Sequence, residues 1–71
     1  MLTITNQVRR LRFEHGEMTQ KELAERVGVT RQTIIAIEGG KYSPSLELAF
    51  RLCRAFNVGV EEVFCWKDDE H

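Results

Sequence analysis

The stretch Thr19-Gln20-Lys21-Glu22-Leu23-Ala24-Glu25-Arg26-Val27-Gly28-Val29-Thr30-Arg31-Gln32-Thr33-Ile34-Ile35-Ala36-Ile37-Glu38 reads as two short helices around a tight turn. Thr19-Gln20-Lys21-Glu22 is a capping box: the Thr19 hydroxyl can accept the amide of Glu22 while the Glu22 carboxylate reaches back to the amide of Thr19. Leu23, Ala24 and Val27 then make one apolar face. Gly28 is placed where a left-handed residue would stop the helix. Thr30 can cap the next helix, Arg31 to Glu38, which Gly39-Gly40 closes. At 100° per residue, Ile34 and Ile37 point one way. Arg31, Gln32, Ile35 and Ala36 point the other. One face belongs to the core. The opposite face offers a cation, an amide, a branched apolar group and a small group, which an ordinary surface helix rarely combines.

The flanking sequence supplies the rest of the framework. Met1 to Thr5 alternates as a short strand. Thr5 or Asn6 can cap a helix to about His15, with Val8 and Leu11 facing inward and Gly16 ending it. Lys41 to Ser45 is a turn, with Pro44 at or just before a fourth helix from Leu46 to about Asn57. Apolar residues cover most of that helix, so burial nearly all round is expected, with Glu47, Arg51 and Arg54 on its narrow polar stripe. A turn of helix at Glu61-Glu62-Val63 leads to a second strand at about 64–67, which can pair with the first. Trp66 reads as a packed strand residue, His15 and His71 as surface residues, and residues 68–71 as a frayed end. Arg9, Arg10 and Arg12 read as a solvated face of the first helix, and Glu38 as structural, bracing an arginine or a loop amide.

Composition narrows the function. The 71 residues are 42% hydrophobic and 30% charged, a folded rather than disordered balance. A chain of this length forms one domain over 1–71 and buries only about 60% of the surface its unfolded form exposes. No apolar run reaches the roughly 20 residues of a membrane span, and no signal segment opens the chain, so a cytoplasmic protein is expected. Cys53 and Cys65 fit neither a disulfide framework nor a zinc pattern; no metal, cofactor or small-molecule ligand is expected. The net charge of −1 conceals an asymmetry: residues 1–60 carry nine Lys and Arg against six acids, whereas 61–71 carry five acids against one Lys. The body is therefore basic, and for a polyanion the local face matters more than the total. No catalytic triad, Cys/His pair, carboxylate pair or phosphate loop can be assembled, so an enzyme is not expected.

Two short helices joined by a glycine-containing turn form a helix-turn-helix, whose second helix lies in the DNA major groove. That groove, about 12 Å wide, admits one helix. Arg31 can donate to guanine O6 and N7, Gln32 can pair with adenine, and Ile35 and Ala36 can touch thymine methyls. Amides at the start of the first of the two helices, with Gln20 and Lys21, suit a phosphate. Lys41, with Tyr42 and Ser43 beside it, suits another.

The pattern Thr19-Gln20, Leu23-Ala24, Val27-Gly28-Val29-Thr30, Thr33-Ile34, Ile37-Glu38 and Gly40-Lys41 resembles the phage repressor and Cro-type helix-turn-helix superfamily, also called the xenobiotic-response-element family. Tyr42 to Ala49, Phe56-Asn57-Val58 and Glu61 to Phe64 extend the likeness over about sixty of the 71 residues. The terminal strands make it similar to stand-alone dimeric repressors of about this length. The resemblance implies an all-α, five-helix repressor-like fold, with the helix-turn-helix at about 19–38 and a small two-stranded antiparallel sheet joining the termini. It implies that Gln20 bonds a phosphate and braces the recognition helix. Arg31, Gln32 and Ala36 would read bases, Thr30 and Thr33 would touch backbone or bases, and Lys41 would hold a phosphate. Ile35 stands where the family more often has a small or polar residue, and Val60 where Ser or Thr often caps the last helix. Phe56, Val60 and Val63 are the candidates for a dimer interface, the core being the other place for them. The expected activity is sequence-specific binding of double-stranded DNA by a homodimeric repressor on a near-palindromic operator. An antitoxin that represses its own operon, or a protein-interaction module with a degenerate helix-turn-helix, are the other readings.

Overall fold

The computed structural model describes residues 2–68. In chain order these form β1 (Leu2–Asn6), α1 (Val8–Glu14), α2 (Gln20–Val27), α3 (Arg31–Glu38), α4 (Leu46–Phe56), α5 (Val60–Val63) and β2 (Phe64–Asp68). The five helices and the antiparallel terminal pair match the expected architecture. β1 and β2 run in register from Leu2↔Asp68 to Asn6↔Phe64. Met1 and residues 69–71, with most of the expected frayed end and His71, lie outside the described residues.

Local signals set the boundaries of the central helices. The Thr19–Glu22 capping box forms in both directions, and Gly28 closes α2 at φ 75°. The left-handed backbone favours glycine there, and an added Cβ would stand 3.2 Å from Arg51 Nη1, which would have to shift slightly. Arg51 uses that nitrogen to donate to Val27 O at 3.2 Å, at the open end of α2. Thr30 caps α3 through the amide of Thr33, and Ser45, directly after Pro44, caps α4 through the amide of Leu48. Asn57 closes α4 in the left-handed region, a role its short amide tolerates.

Val8 and Leu11 of α1, Leu23 and Val27 of α2, Ile34 and Ile37 of α3, and Leu52 and Phe56 of α4 meet in one buried cluster, which Val63 completes. Burying each of these large side chains stabilises the fold by about 1.5–3 kcal/mol. The paired faces of α2 and α3 leave the outer side of α3 uncovered. His15 does more than lie at the surface: its ring nitrogens stand 2.8 Å from Leu11 O and 3.0 Å from Phe56 O. It thereby ties the end of α1 to the end of α4.

Four expectations are corrected by this packing. Phe56 and Val63 are 1% and 0% exposed within the single chain, so they belong to its core and cannot form a dimer surface. α4 is buried on one side only: Leu48 and Leu52 point inward, while Leu46 and Phe50 are 75% and 58% exposed. Trp66 is 64% exposed rather than packed; of the side chains on its face of β2, Phe64 is the one that packs against the core. Arg12 is not solvated; it is drawn inward by Glu38. Among the described residues, no helix is long and apolar enough to cross a membrane.

Candidate nucleic-acid interface

The outward side of α3 is built as its spacing requires. Arg31 and Gln32 are exposed, Ile35 and Ala36 half-buried, and Ile34 and Ile37 fully buried. Thr30 and Thr33 are partly committed to each other. Thr30 Oγ1 accepts from the Thr33 amide at 3.3 Å and lies 3.1 Å from Thr33 Oγ1. Their hydroxyls define where α3 begins and remain at its exposed end.

Two clefts flank the helix. Gln32, Thr33, Ala36, Lys41 and Tyr42 line one of about 380 Å³. The other, about 610 Å³, gathers Gln20 and Lys21 from α2, Arg31, Glu38 and the following Gly39, and also Arg9 and Arg12 from α1. The expected residues thus separate into a Gln32/Lys41 side and a Gln20/Lys21/Arg31 side. Ile35 shares the helical stripe of Arg31, and Thr30 stands at the cap. The structure brings all nine together around one exposed helix.

A polar hub sits at the floor of the larger cleft. Arg12 Nε donates to Glu38 Oε2 at 2.6 Å and Nη2 to Oε1 at 3.0 Å, while Nη1 donates to Met18 O at 2.8 Å. Gln20 Nε2 donates to the same Glu38 Oε1 at 3.1 Å. The bracing role expected of Glu38 is therefore met by Arg12 and Gln20 together. Because Arg12 balances Glu38, the cleft keeps three cations, Arg9, Lys21 and Arg31, that have no ion-pair partner among the described residues. The capping box uses the amides of Thr19 and Glu22, which leaves those of Gln20 and Lys21 facing outward at a helix start, where the dipole favours an anion. Such a cleft can take a phosphate, and the exposed side chains of α3 can reach base edges beside it.

Arg9 was missed as part of this cleft. The available signal was its position three residues before Arg12, on the same stripe of α1. Arg12 itself gave a weaker signal, since its acceptor is 26 residues away.

A helix-turn-helix family model matches residues 9–63. The chain belongs to the Cro/repressor-type helix-turn-helix family. It is accordingly a helix-turn-helix DNA-binding transcriptional regulator. Among relatives in this family, an uncharacterized helix-turn-helix-type transcriptional regulator of Methanocaldococcus jannaschii is 51% identical over 65 residues, which cover 92% of this chain and 97% of that one. One from Bacillus subtilis is 50% identical over 66 residues, covering 93% and 97%. A cryptic-phage transcriptional repressor of Vibrio cholerae is 34% identical over 59 residues, covering 83% of this chain and 52% of that protein. The crystal structure of a candidate DNA-binding protein from Bacteroides fragilis shares the fold, with a TM-score of 0.75 at 22% identity over 87% of this chain and 98% of that one.

Within this family framework the Thr19–Glu22 pair makes a pH prediction. The Thr19 amide, and then the Thr19 hydroxyl, hold the Glu22 carboxyl below its ordinary range. A carboxyl lowered in the folded state binds fewer protons there than in the unfolded chain. Its contribution is therefore present above the ordinary glutamate range and is lost as the pH falls through the lowered value. Glu22→Gln removes the titrating group and keeps an acceptor for the Thr19 amide. Thermal unfolding followed by circular dichroism should show wild type ahead of the variant at pH 7, with the gap closing toward pH 3. A gap that stays constant across that range would remove Glu22 from the pH response.

Proposed function

We propose that the protein is a homodimeric transcriptional repressor that reads a near-palindromic DNA operator through α3. The observation that carries this reading is the division of α3. Ile34 and Ile37 are sunk in the core, while Arg31, Gln32, Ile35 and Ala36 face outward between two clefts. Arg31 and Gln32 supply hydrogen bonds to base edges; Ile35 and Ala36 supply methyl contact. Gln20, Lys21 and Lys41 hold phosphates on either side, and Thr30 and Thr33 meet the backbone at the helix start. The Vibrio cholerae relative, itself named as a repressor, supports the direction of regulation.

The dimer surface in this proposal is the apolar face that the core leaves uncovered. Ile4, Pro44, Leu46, Ala49, Val60 and Phe64 line a cleft of about 310 Å³ there. Trp66, opposite Ile4 in the sheet, and Phe50, one turn beyond Leu46, extend it. The occupant is a second copy of the chain. A two-fold would cover this face on both copies and present two recognition helices about 34 Å apart, one turn of DNA. Two copies also double a phosphate set too small to give high affinity alone.

Selection from a random double-stranded DNA pool at near-physiological salt tests the reading. The expected product is an inverted repeat with half-site centres about 10 base pairs apart. Val60→Asp places like charges in the proposed interface, which costs several kcal/mol. It should sediment as a folded monomer and bind the selected repeat on the order of 100-fold more weakly. An unrepeated half-site would end the symmetric dimer. No enriched sequence, with retention abolished by salt, would end the specific-repressor reading.

A further inference from the structure

We propose that Asn6 is a positioning residue that couples the terminal sheet to the recognition helix and so sets the half-site spacing. The proposal rests on the dimeric reading above. Asn6 ends β1 and pairs with Phe64. It lies two residues from Ile4, on the same face of the strand, and Ile4 lines the proposed dimer surface. Its side chain spans two helix ends. Nδ2 donates to Ile37 O at 2.8 Å, across 31 residues of sequence. Oδ1 accepts from the Val8 amide at 3.2 Å.

Both partners are groups that helices leave open. Val8 N–H begins α1, and Ile37 O lies in the last turn of α3, where intrahelical donors run out. The Gly40 amide already donates to Ile37 O at 3.0 Å, and a carbonyl accepts two such bonds. One side chain that must donate at one end and accept at the other, at this reach, is an amide. The neighbouring backbone reinforces the join, because Gln7 N–H donates to Val63 O at 2.8 Å. The strand therefore grips the C-terminal end of α3 directly. Its N-terminal end, which carries Arg31 and Gln32, has no such tie to the strand and is held by the packing of α3 against α2, while the Gln20–Glu38 bond secures the same C-terminal end from α2. If the sheet lies at the two-fold, the tilt of each recognition helix from that axis is fixed where Asn6 holds it.

Asn6→Asp separates the two bonds. It keeps the acceptor for the Val8 amide and loses the donor to Ile37 O. Asn6→Ser does the same without adding a charge, its hydroxyl being too short to span to α3. Binding is read on the selected inverted repeat, on the same repeat with one or two base pairs inserted or removed at its centre, and on a duplex with one half-site scrambled. Sedimentation reports the dimer. The wild type should prefer its own spacing by a large factor. In both variants that preference should shrink by about tenfold, while the dimer persists and the single half-site binds within about twofold of wild type. An unchanged spacing profile in both variants overturns the proposal. So does an equal loss on the half-site, or a loss of folding in both, since either makes Asn6 a general stability residue. A wild type without any preference for repeats would instead fail the dimeric reading, and the two failures are told apart by that control.

Discussion

Glu38→Ala is expected to remove most of the chain's folding stability. The Glu38 carboxylate takes two bonds from Arg12 and one from Gln20, and the two charged side chains are only 15% and 9% exposed. Truncation leaves the Arg12 guanidinium with Met18 O as its remaining acceptor and strips Gln20 of its brace. Removing one partner of a buried pair costs about 3–5 kcal/mol, because the other charge stays buried without compensation. The residual exposure of Arg12 places the loss toward the lower end. A core of this size rarely supplies more than about 3–5 kcal/mol in total, so the two quantities are comparable. Urea titration should show a midpoint near zero denaturant for Glu38→Ala and an intermediate one for Glu38→Gln, which keeps one acceptor oxygen. The double change Arg12→Met with Glu38→Leu should recover most of the stability, since an apolar pair of similar volume replaces a buried ion pair at little cost. A loss below about 1 kcal/mol in Glu38→Ala would mean that the pair behaves like a surface bridge.

The same pair shows why part of the molecule was legible in the sequence and part was not. The capping box at Thr19, the stop at Gly28 and the cap at Thr30 are short-range bonds between residues three or four apart, so their spacing alone announces them. The inward pair Ile34 and Ile37 follows from helical period. Arg12, Asn6 and His15 have partners 26, 31 and 41 residues away. Nothing beside them in the chain marks those partners, so Arg12 reads as solvated, His15 as a surface residue and Asn6 as a local helix cap. α4 failed differently. A helix apolar on nearly every side declares that it must be covered, but not how much of the cover its own chain can supply. Here the chain covers Leu48 and Leu52 and leaves Leu46 and Phe50 exposed. Phe56 and Val63 could not be divided from Val60 by apolarity. What divides them is the packing: Phe56 at the end of α4 and Val63 at the end of α5 join the core cluster, while Val60 at the start of α5 faces outward. The larger cleft beside α3 takes its lining from α1, α2 and α3 together, so Arg9 joined Lys21 and Arg31 only in three dimensions.

Arg31→Ala should weaken binding to the selected operator by about 30-fold to about 10⁴-fold. Each good base contact is worth about 1–3 kcal/mol, and a homodimer loses it twice. Folding should be almost untouched. Arg31 is exposed at the first position of α3, alanine favours helix, and a cation gains nothing from the positive end of the helix dipole. The decisive quantity is how the loss divides between specific and non-specific DNA. A base reader loses affinity for its operator and keeps most of its affinity for unrelated duplex. A phosphate contact weakens both alike and lowers the salt slope by about 0.9 per phosphate released. Arg31 lies between these roles, since it shares a cleft with Gln20 and Lys21 as well as a helix face with Gln32. Lys41→Ala provides the phosphate standard, with an expected slope change of about 2 per dimer and little change in sequence preference. If Arg31→Ala matches Lys41→Ala in both measures, base reading passes to Gln32, Ile35 and Ala36, and Arg31 joins Lys21 as part of the phosphate cleft. If instead the slope holds and the operator preference collapses, the guanidinium reaches past the cleft into the groove.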